Sequence, residues 1–247
     1  MREQPQQQPP PVQRLRIRYA KRGRLRFTSH RDFSRAFERA VFRARIPMAY
    51  SSGFNPHPRI SYAGAAPTGS ASEAEYLEIA LSEPMDPSRA HAMLDEALPD
   101  GLDVLEVVVS AGGSLAERLE VSRWQITVED LTVEDLRSRV EALLELEEVV
   151  VERMTKKGVR SFDARGAVLG AEVAEGPADR APCAILDVVL RHGSPSVRPD
   201  DVLAALAQAS GLRVTAVMQR RLAQGPRDSE DGTVGDPLAP DRDAAGQ

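Results

Sequence analysis

Hydrophobic and polar residues alternate near the start of the chain, where Leu15, Ile17 and Tyr19 are separated by Arg16 and Arg18. A period of two residues is typical of a β-strand with one face in the protein core. We therefore expect a strand here, with its arginines in a row on the outward face.

The pattern then changes to that of an amphipathic helix. Ser29 followed by Asp32 three residues later is typical of a helix N-terminus. One apolar stripe follows at intervals of three and four residues and comprises Phe33, Ala36, Phe37, Ala40, Val41 and Ala44. Pro47 disfavours helical conformation in the residue before it, so the helix is predicted to end by Ile46.

The remaining patterns complete an α+β fold. In the first half of the chain, strands are predicted at 60–63, 76–81 and 102–109, with a helix starting at Asp86-Pro87. The second half repeats this order, with strands at 124–128, 149–154, 184–190 and 212–218 and helices from Thr132 and Pro199. This order predicts two tandem ferredoxin-like (βαββαβ) domains with antiparallel sheets. No structure is assigned to residues 163–182.

These patterns predict four segments along the chain. A disordered N-terminal tail spans 1–13, a basic ferredoxin-like domain 14–112, a second ferredoxin-like domain 120–222, and a disordered C-terminal tail 225–247. The tails are rich in Gln and Pro or in Gly, Asp, Pro and Ala, and neither has an apolar period.

Charge and aromatic residues are concentrated in the first domain. Residues 14–60 contain twelve Arg and one Lys against two acids, so this segment carries +11, and the net charge of −5 leaves −16 for the remainder. Eight of the eleven aromatic residues lie between positions 19 and 62. The first domain therefore has the chemistry of a binding surface.

Composition also excludes several classes of protein. No stretch approaches the roughly 20 consecutive apolar residues of a membrane-spanning helix, and the N-terminus lacks the apolar core of a signal peptide, so we expect a cytoplasmic protein without a membrane partner. The single cysteine, Cys183, cannot supply the thiolates of an iron–sulfur cluster or a structural zinc site. We expect no metal and no cofactor.

Four arginines on the first predicted helix recur at every fourth position, namely Arg31, Arg35, Arg39 and Arg43. They share one face, which we call the arginine ridge. Like charges at this spacing repel, and a bound polyanion would remove that repulsion. An acidic protein surface and a merely solvated helix face are the alternatives.

The residue types favour RNA as the polyanion. Arginine rather than lysine favours bidentate contacts with phosphate and stacking on bases. Tyr50 and Phe54, on a predicted loop, are candidates for base stacking, whereas Phe33, Phe37 and Phe42 are assigned to the core. The further candidate RNA-binding residues are His57, Arg59, Lys156, Lys157 and Arg160.

Two histidines allow a catalytic alternative. His30 lies at the start of the arginine helix and His57 lies between two prolines of the following loop. Two imidazoles near a phosphate site could act as general acid and base in RNA cleavage. Capping or packing of a loop is the alternative for each histidine.

The stretch from RFTSHRDFSRAF to GFNPHPRISYAG, with its SHRD and GFNPHPR motifs, resembles the radical-SAM-linked family of bacterial proteins. A second, weaker signature runs from Lys156-Lys157-Gly158 to Arg165, and the resemblance covers roughly residues 14–220. The family has no assigned activity. The resemblance implies a partner or substrate shared with radical SAM enzymes, such as tRNA or ribosomal RNA, and a link to ribonuclease E/G.

These observations lead to one hypothesis and two alternatives. The leading hypothesis is a noncatalytic RNA-binding protein that presents structured RNA to a modifying or processing enzyme. The first alternative is an RNA-processing enzyme that uses His30 and His57. The second is an accessory subunit that docks a radical SAM enzyme through the arginine ridge.

Overall fold

A computed structural model of the protein describes residues 7–155, 158–176, 183–228 and 232–245, which divide into two units. Unit 1 comprises residues 1–118 and 237–247, and unit 2 comprises residues 119–236. In chain order the elements are β1 (Gln13–Lys21), α1 (His30–Arg43), β2 (Ile60–Ala63), β3 (Ala71–Leu81), α2 (Pro87–Ala97), β4 (Val104–Val109), β5 (Val121–Glu129), α3 (Val133–Glu145), β6 (Val150–Thr155), β7 (Gly158–Asp163), β8 (Val168–Glu175), β9 (Cys183–Arg191), α4 (Pro199–Ser210), β10 (Ala216–Gly225) and α5 (Ala239–Ala245). The prediction of an α+β protein is confirmed, and its strands are mostly antiparallel.

In unit 1 the strands lie in the order β4-β1-β3-β2, and each neighbouring pair is antiparallel. The core forms where α1 and α2 pack on one face of this sheet, because the strands and the helices each bury an apolar face. Tyr19 of β1 stacks on Phe33 of α1 at 4.5 Å, and Phe33 in turn contacts Phe37. The predicted core positions Phe33 and Phe37 are thereby confirmed.

A 3₁₀-helix, Gly23–Phe27, follows β1. One local prediction in unit 1 needs correction. Strand β3 begins at Ala71, five residues before the predicted start. Its first residues are small or polar, Ala71, Ser72 and Ala74 among them, so they lack the alternation of large apolar residues that marks the strand's second half.

In unit 2 the sheet order is β10-β5-β9-β8, with β6 and β7 forming a separate two-stranded hairpin. Trp124, Ile126 and Val128 alternate inward along β5 and are buried. The strand predicted at 149–154 belongs to the hairpin rather than to this sheet. The sheet position is occupied by β8, in the segment to which no structure was assigned, because Gly, Ala and Glu dilute its apolar alternation.

The prediction of a disordered C-terminal tail is wrong for the described residues of 225–247. Strand β10 extends to Gly225, and α5 follows as part of unit 1. Leu238 is fully buried, and the side chain of Asp241 has no exposure to solvent. Arg118 also donates to the Pro237 carbonyl at 2.8 Å, and Arg242 forms an ion pair with Glu106 at 2.6 Å. Such long-range contacts leave no signal in the composition of the segment.

At the opposite end, residues 1–6 of the predicted N-terminal tail lie outside the described residues. The backbone N–H of Val12 donates to the carbonyl of Leu81 at 2.8 Å, just before β1 starts at Gln13. Within the described part of the chain, no helix is long and apolar enough to cross a membrane.

Candidate nucleic-acid interface

Helix α1 positions the arginine ridge. Its buried side, Phe33, Phe37, Ala40 and Val41, faces the core of unit 1 as the sequence predicted. The four arginines of the ridge, Arg31, Arg35, Arg39 and Arg43, are all exposed. Burial of one face of the helix therefore fixes the other, cationic face toward solvent.

The SHRD motif builds the start of this helix. Ser29 is the N-cap, and its hydroxyl accepts a hydrogen bond from the backbone N–H of Asp32 at 3.2 Å and donates to the Asp32 carboxylate at 2.7 Å. The ring of His30 packs edge-on against Tyr62 of β2, 4.9 Å between centroids. These contacts satisfy a free helix N–H and fix the first turn, which carries Arg31.

The ridge arginines have no hydrogen bond or ion pair to any residue that the structure describes. The arginines of β1, by contrast, are paired. Arg14 bonds Glu78 at 2.8 Å, and Arg18 donates to the Glu73 carbonyl at 2.9 Å. Arginine is thus used in two ways within unit 1.

Arg16 departs most from the sequence prediction. It was expected on the outward face of β1, but its side chain is 0% exposed. The guanidinium donates to Glu78 at 3.0 Å, to both carboxylate oxygens of Asp241 at 2.8 and 2.9 Å, and to the carbonyls of Gly112 and Gly113. All five N–H donors therefore have acceptors, as a buried guanidinium requires.

The C-terminal segment supplies the carboxylate in this cluster. Burial of Asp241 by itself would raise its pKa, but hydrogen bonds from the Ala111 backbone N–H, Arg16 and Arg118 outweigh burial and lower the pKa of Asp241. Positive φ angles at Gly112 and Gly113, 96° and 70°, turn the chain so that both carbonyls reach Arg16. This cluster belongs to the architecture of unit 1 and leaves no guanidinium free for a ligand.

The loop formed by residues 50–59, which contains the GFNPHPR motif and is called the GFNPHPR loop, has two exposed aromatic residues. Tyr50 and Phe54 are 42% and 71% exposed. The base of the loop is closed by hydrogen bonds from Ser51 N–H to the His57 carbonyl at 2.9 Å and from His57 N–H to Ser51 Oγ at 3.0 Å. Arg59 donates through Nε to the Tyr50 carbonyl at 3.1 Å, so it both supports the loop and lies beside it.

Phe42 was assigned to the core, and that prediction is wrong, because its side chain is 82% exposed. It lies one residue beyond Val41, outside the apolar stripe. The spacing contains the signal, since Phe42 falls one helical turn after Glu38 on the polar side. An aromatic ring is thus exposed next to the ridge.

Phe42 borders two concave surfaces. The first, which we call the cationic concavity, has a volume of about 520 Å³ and is lined by Arg35, Glu38, Arg39, Phe42 and Arg43. The second, which we call the apolar concavity, has a volume of about 580 Å³ and a largely apolar lining. Glu38 and Phe42 also border this second concavity, together with Arg45 and the loop residue Tyr50. The surface therefore combines a cationic side and an apolar side separated by one aromatic ring.

The hydroxyl of Tyr62, on β2, lies next to α1. It is buried, and burial raises its pKa, with a smaller contribution from the negative charge of Glu38. Tyr62 also contacts Phe33 at 5.9 Å. It is therefore a neutral packing residue of the interface.

The structure does not bring the two candidate catalytic histidines into contact. The ring of His30 packs against Tyr62, whereas the backbone of His57 is hydrogen-bonded to Ser51. Neither histidine lines the two concave surfaces that Phe42 borders. The described residues also contain no cluster of metal-ligating side chains. The nuclease alternative gains no geometric support.

Residues 14–199 match a bacterial family described as "Uncharacterized protein conserved in bacteria (DUF2344)". The chain belongs to this family. The matched range contains the arginine ridge, the GFNPHPR loop and the hairpin of unit 2, whereas α5 lies beyond it. No curated protein matches the chain.

The second basic candidate site of this DUF2344 protein lies on the hairpin of unit 2. Arg160 is exposed on β7, whereas Lys156 and Lys157 lie outside the described residues. Arg153 of β6 bonds Asp201 of α4 at 2.5 Å and lies over the ring of Phe162. The hairpin is thereby fixed to unit 2, with Arg160 facing solvent.

Unit 2 also contains a cavity of about 640 Å³ on its sheet, lined in part by Arg123, Glu172, Asp187 and Arg227. Its charges are balanced, because Arg123 forms a two-pronged ion pair with Asp187 at 2.7 and 2.8 Å. The hydrogen bonds with Asp187 raise the pKa of Arg123. This cavity lacks the uncompensated positive charge that a polyanion needs.

Proposed function

We propose that this DUF2344 protein is a noncatalytic RNA-binding protein that presents structured RNA, such as tRNA or ribosomal RNA, to a modifying or processing enzyme. One observation carries the proposal. The four ridge arginines are exposed and have no partner among the described residues, while the arginines of β1 in the same unit are paired. A phosphate backbone would neutralise the ridge and remove the repulsion within it.

The aromatic residues beside the ridge favour RNA over an acidic protein surface. Phe42 shares one concave surface with Arg35, Arg39 and Arg43 and a second one with Tyr50 and Arg45. Phe54 is exposed on the loop that follows Tyr50. Unpaired bases stack on such rings while arginines hold the phosphates. An acidic protein would pair with the arginines but would leave three large apolar side chains without a corresponding role.

The proposed fold determines where the candidate surface lies. We propose that each unit is a ferredoxin-like domain, supported by the strand orders β4-β1-β3-β2 and β10-β5-β9-β8, which match each other position by position. In unit 2 the hairpin of β6 and β7 is then an insertion between α3 and the second sheet strand. In unit 1 the candidate surface lies on α1 and the loop that follows it, and not on the sheet face that other ferredoxin-like RNA-binding domains use.

The proposal also includes an enzyme partner that receives the RNA. The SHRD and GFNPHPR motifs support a link to radical SAM proteins, so the enzyme that receives the RNA would be a radical SAM enzyme or a ribonuclease acting in the cytoplasm. Lys156, Lys157 and Arg160 would extend the RNA contact in unit 2. The ridge would then grip the RNA rather than the enzyme.

Charge reversal on the ridge tests the binding proposal. In the triple variant R35E, R39E and R43E the buried stripe of α1 is unchanged, so the fold should be retained while affinity for total tRNA falls by at least 100-fold. If two to three phosphate contacts are lost, the slope of log affinity against log salt should flatten by about 2. Both quantities are measured by fluorescence anisotropy at several salt concentrations.

A matched control comes from three exposed arginines outside the ridge, Arg89, Arg191 and Arg213. Their reversal to Glu changes the net charge equally and should alter affinity only a few-fold. A folded ridge variant with the affinity and salt slope of the wild type would refute the proposal. Cleavage products from wild-type protein that disappear in His30→Ala and His57→Ala variants would favour the nuclease alternative.

A further inference from the structure

Glu38 is an unexpected residue in a surface for phosphates. It is the only acid between residues 33 and 47, a stretch that contains four arginines. Its side chain is exposed and forms no hydrogen bond or ion pair with any residue in the described part of the chain. Because a carboxylate repels phosphate, a surface that bound only the RNA backbone would be weakened by it.

The position of Glu38 allows it to bind a group other than phosphate. Glu38 and Phe42 are one helical turn apart, and both line the cationic concavity and the apolar concavity. The apolar concavity also includes Met48, Tyr50 and Pro58. A ligand could therefore place an anionic group on the ridge, a flat ring in the apolar concavity and a hydrogen-bonding edge against Glu38.

Arg45 shows that the rim of the apolar concavity is maintained against a local backbone preference. It follows the last turn of α1 with φ 51°, and its N–H bonds the Phe42 carbonyl at 3.1 Å while Ile46 N–H bonds the Val41 carbonyl at 3.0 Å. Helices that end with this pair of bonds favour glycine at this position. An arginine adopts the left-handed conformation at some loss of stability, and such positions occur preferentially at functional sites.

We infer that the apolar concavity binds one unpaired guanine of the RNA. The inference rests on the proposed function, because the phosphates flanking that guanine would lie on the ridge and on Arg45. The base stacks on Phe42, opposite the loop that carries Tyr50. Its Watson–Crick edge donates to Glu38.

Hydrogen-bonding chemistry selects guanine. An ionised carboxylate only accepts hydrogen bonds, and it accepts two in parallel when the donors are adjacent. Guanine presents adjacent N1–H and N2–H donors on its Watson–Crick edge, whereas adenine and cytosine place an acceptor next to their amino group. Uracil has a single N–H between two carbonyls. Only guanine therefore matches Glu38 with two donors.

Short oligonucleotides test base selection directly. The probes are fluorescently labelled nine-nucleotide oligouridines with guanosine, inosine, adenosine or cytidine at the centre. The guanosine oligonucleotide should bind about 10-fold more tightly than those with adenosine or cytidine, in the range of discrimination known for a bidentate side chain–base pair. Inosine, which lacks the N2 amino group, should bind with intermediate affinity.

Glu38→Gln should reduce the guanosine preference to within about 2-fold, because an amide replaces one acceptor with a donor. Removing the negative charge should at the same time strengthen binding of the adenosine and cytidine probes. Glu83→Gln, at an exposed acid elsewhere in unit 1, is the control and should leave the preference unchanged. An E38Q variant that tightens all four probes equally would overturn the inference.

Two further variants separate binding from folding. Arg45→Gly should keep or raise the melting temperature because glycine suits the left-handed conformation, yet it should weaken the guanosine probe several-fold. Phe42→Ala should weaken it about 10-fold, whereas Leu212→Ala, at an exposed apolar residue of unit 2, should not. Unchanged binding by F42A would also overturn the inference.

The probes also distinguish this inference from the proposed function. Equal affinity for the four oligonucleotides, with tRNA binding that still depends on the ridge, would overturn the guanine site and leave the RNA-binding proposal intact. Absence of binding to both the oligonucleotides and tRNA would overturn both.

Discussion

The arginines of β1 and those of α1 lie within the same basic segment, yet only those of β1 are hydrogen-bonded to other residues of the protein. Along β1, Arg14, Arg16 and Arg18 each bond an acceptor on β3, and Arg16 is fully buried. Along α1, the ridge arginines are exposed and have no partner within the described residues. The arginines of β1 stabilise the fold, and those of α1 carry positive charge that no described residue neutralises.

The difference shows that positive charge alone does not identify a binding surface. The guanidinium groups of Arg14 and Arg16 are already paired with carboxylates, so phosphate would have to compete with Glu78 or Asp241, while Arg18 is bonded to a backbone carbonyl. An unpaired guanidinium in water needs no such exchange. The binding proposal therefore rests on the ridge and excludes β1.

The largest expected effect on stability comes from removing the carboxylate of Asp241, which pairs with the buried Arg16. Asp241→Asn leaves Arg16 and Arg118 without their shared carboxylate, so the free energy of unfolding should fall by about 3–5 kcal/mol. Urea denaturation would show it as a lower midpoint. Asp243→Asn, at an exposed position of α5, is the control and should change the free energy by less than about 0.5 kcal/mol.

Acid titration sharpens this test. Because the folded-state pKa of Asp241 lies below its unfolded value, the stability it contributes is fully present above about pH 4 and is lost as pH falls through the folded pKa. The stability difference between wild type and D241N should shrink over that range. A difference that stayed constant down to pH 2 would contradict the assigned role of the carboxylate.

Arg16 also shows where sequence patterns stop being informative. Alternation correctly predicted a strand with Leu15 and Ile17 inward, but a period of two cannot tell whether the opposite face of a sheet is covered. That face is covered from a distance of 225 residues by α5, which a polar, alanine- and proline-rich tail gave no reason to expect. Contacts of such sequence separation lie outside any local pattern.

The candidate site was predicted in a similar, partial way. The apolar stripe of α1 fixed the direction of the ridge, so Arg31, Arg35, Arg39 and Arg43 were predicted as a set, and the structure places them together on the exposed side. Phe42 was missed because aromatic residues in a helix are usually buried. Its companion Arg45 was missed because a left-handed residue after a helix is usually glycine.

A smaller effect of opposite sign is expected on the ridge. Changing Arg35, Arg39 and Arg43 to Gln removes three like-charged pairs with Arg31 and each other, each worth a few tenths of a kcal/mol, while helix propensity changes little. The free energy of unfolding should rise by up to about 1 kcal/mol while tRNA affinity falls. The gain should disappear in 1 M salt, where surface charges are screened. Destabilisation beyond 1 kcal/mol would show that the ridge supports the fold.

The smallest effect tests the boundary between the two sets of arginines. Arg22, just after β1, is paired with Glu73 and Asp103, yet its side chain is 44% exposed. Their hydrogen bonds and charges raise the pKa of Arg22, so it is charged and paired at any ordinary pH. Exposed ion pairs contribute little, and Arg22→Gln should lower the free energy of unfolding by no more than about 1 kcal/mol.

The salt dependence of the stability loss distinguishes the exposed pairs of Arg22 from the buried pair of Arg16. The loss caused by Arg22→Gln should shrink in 1 M salt, whereas the loss caused by Arg16→Gln should persist because solvent ions do not reach a fully buried pair. Affinity for tRNA should be unchanged by Arg22→Gln at low salt, since Glu73 and Asp103 already neutralise that guanidinium. If Arg22→Gln weakened tRNA binding as much as a single ridge substitution, pairing with acids would not distinguish structural arginines from RNA-binding ones, and β1 could not be excluded as part of the RNA site.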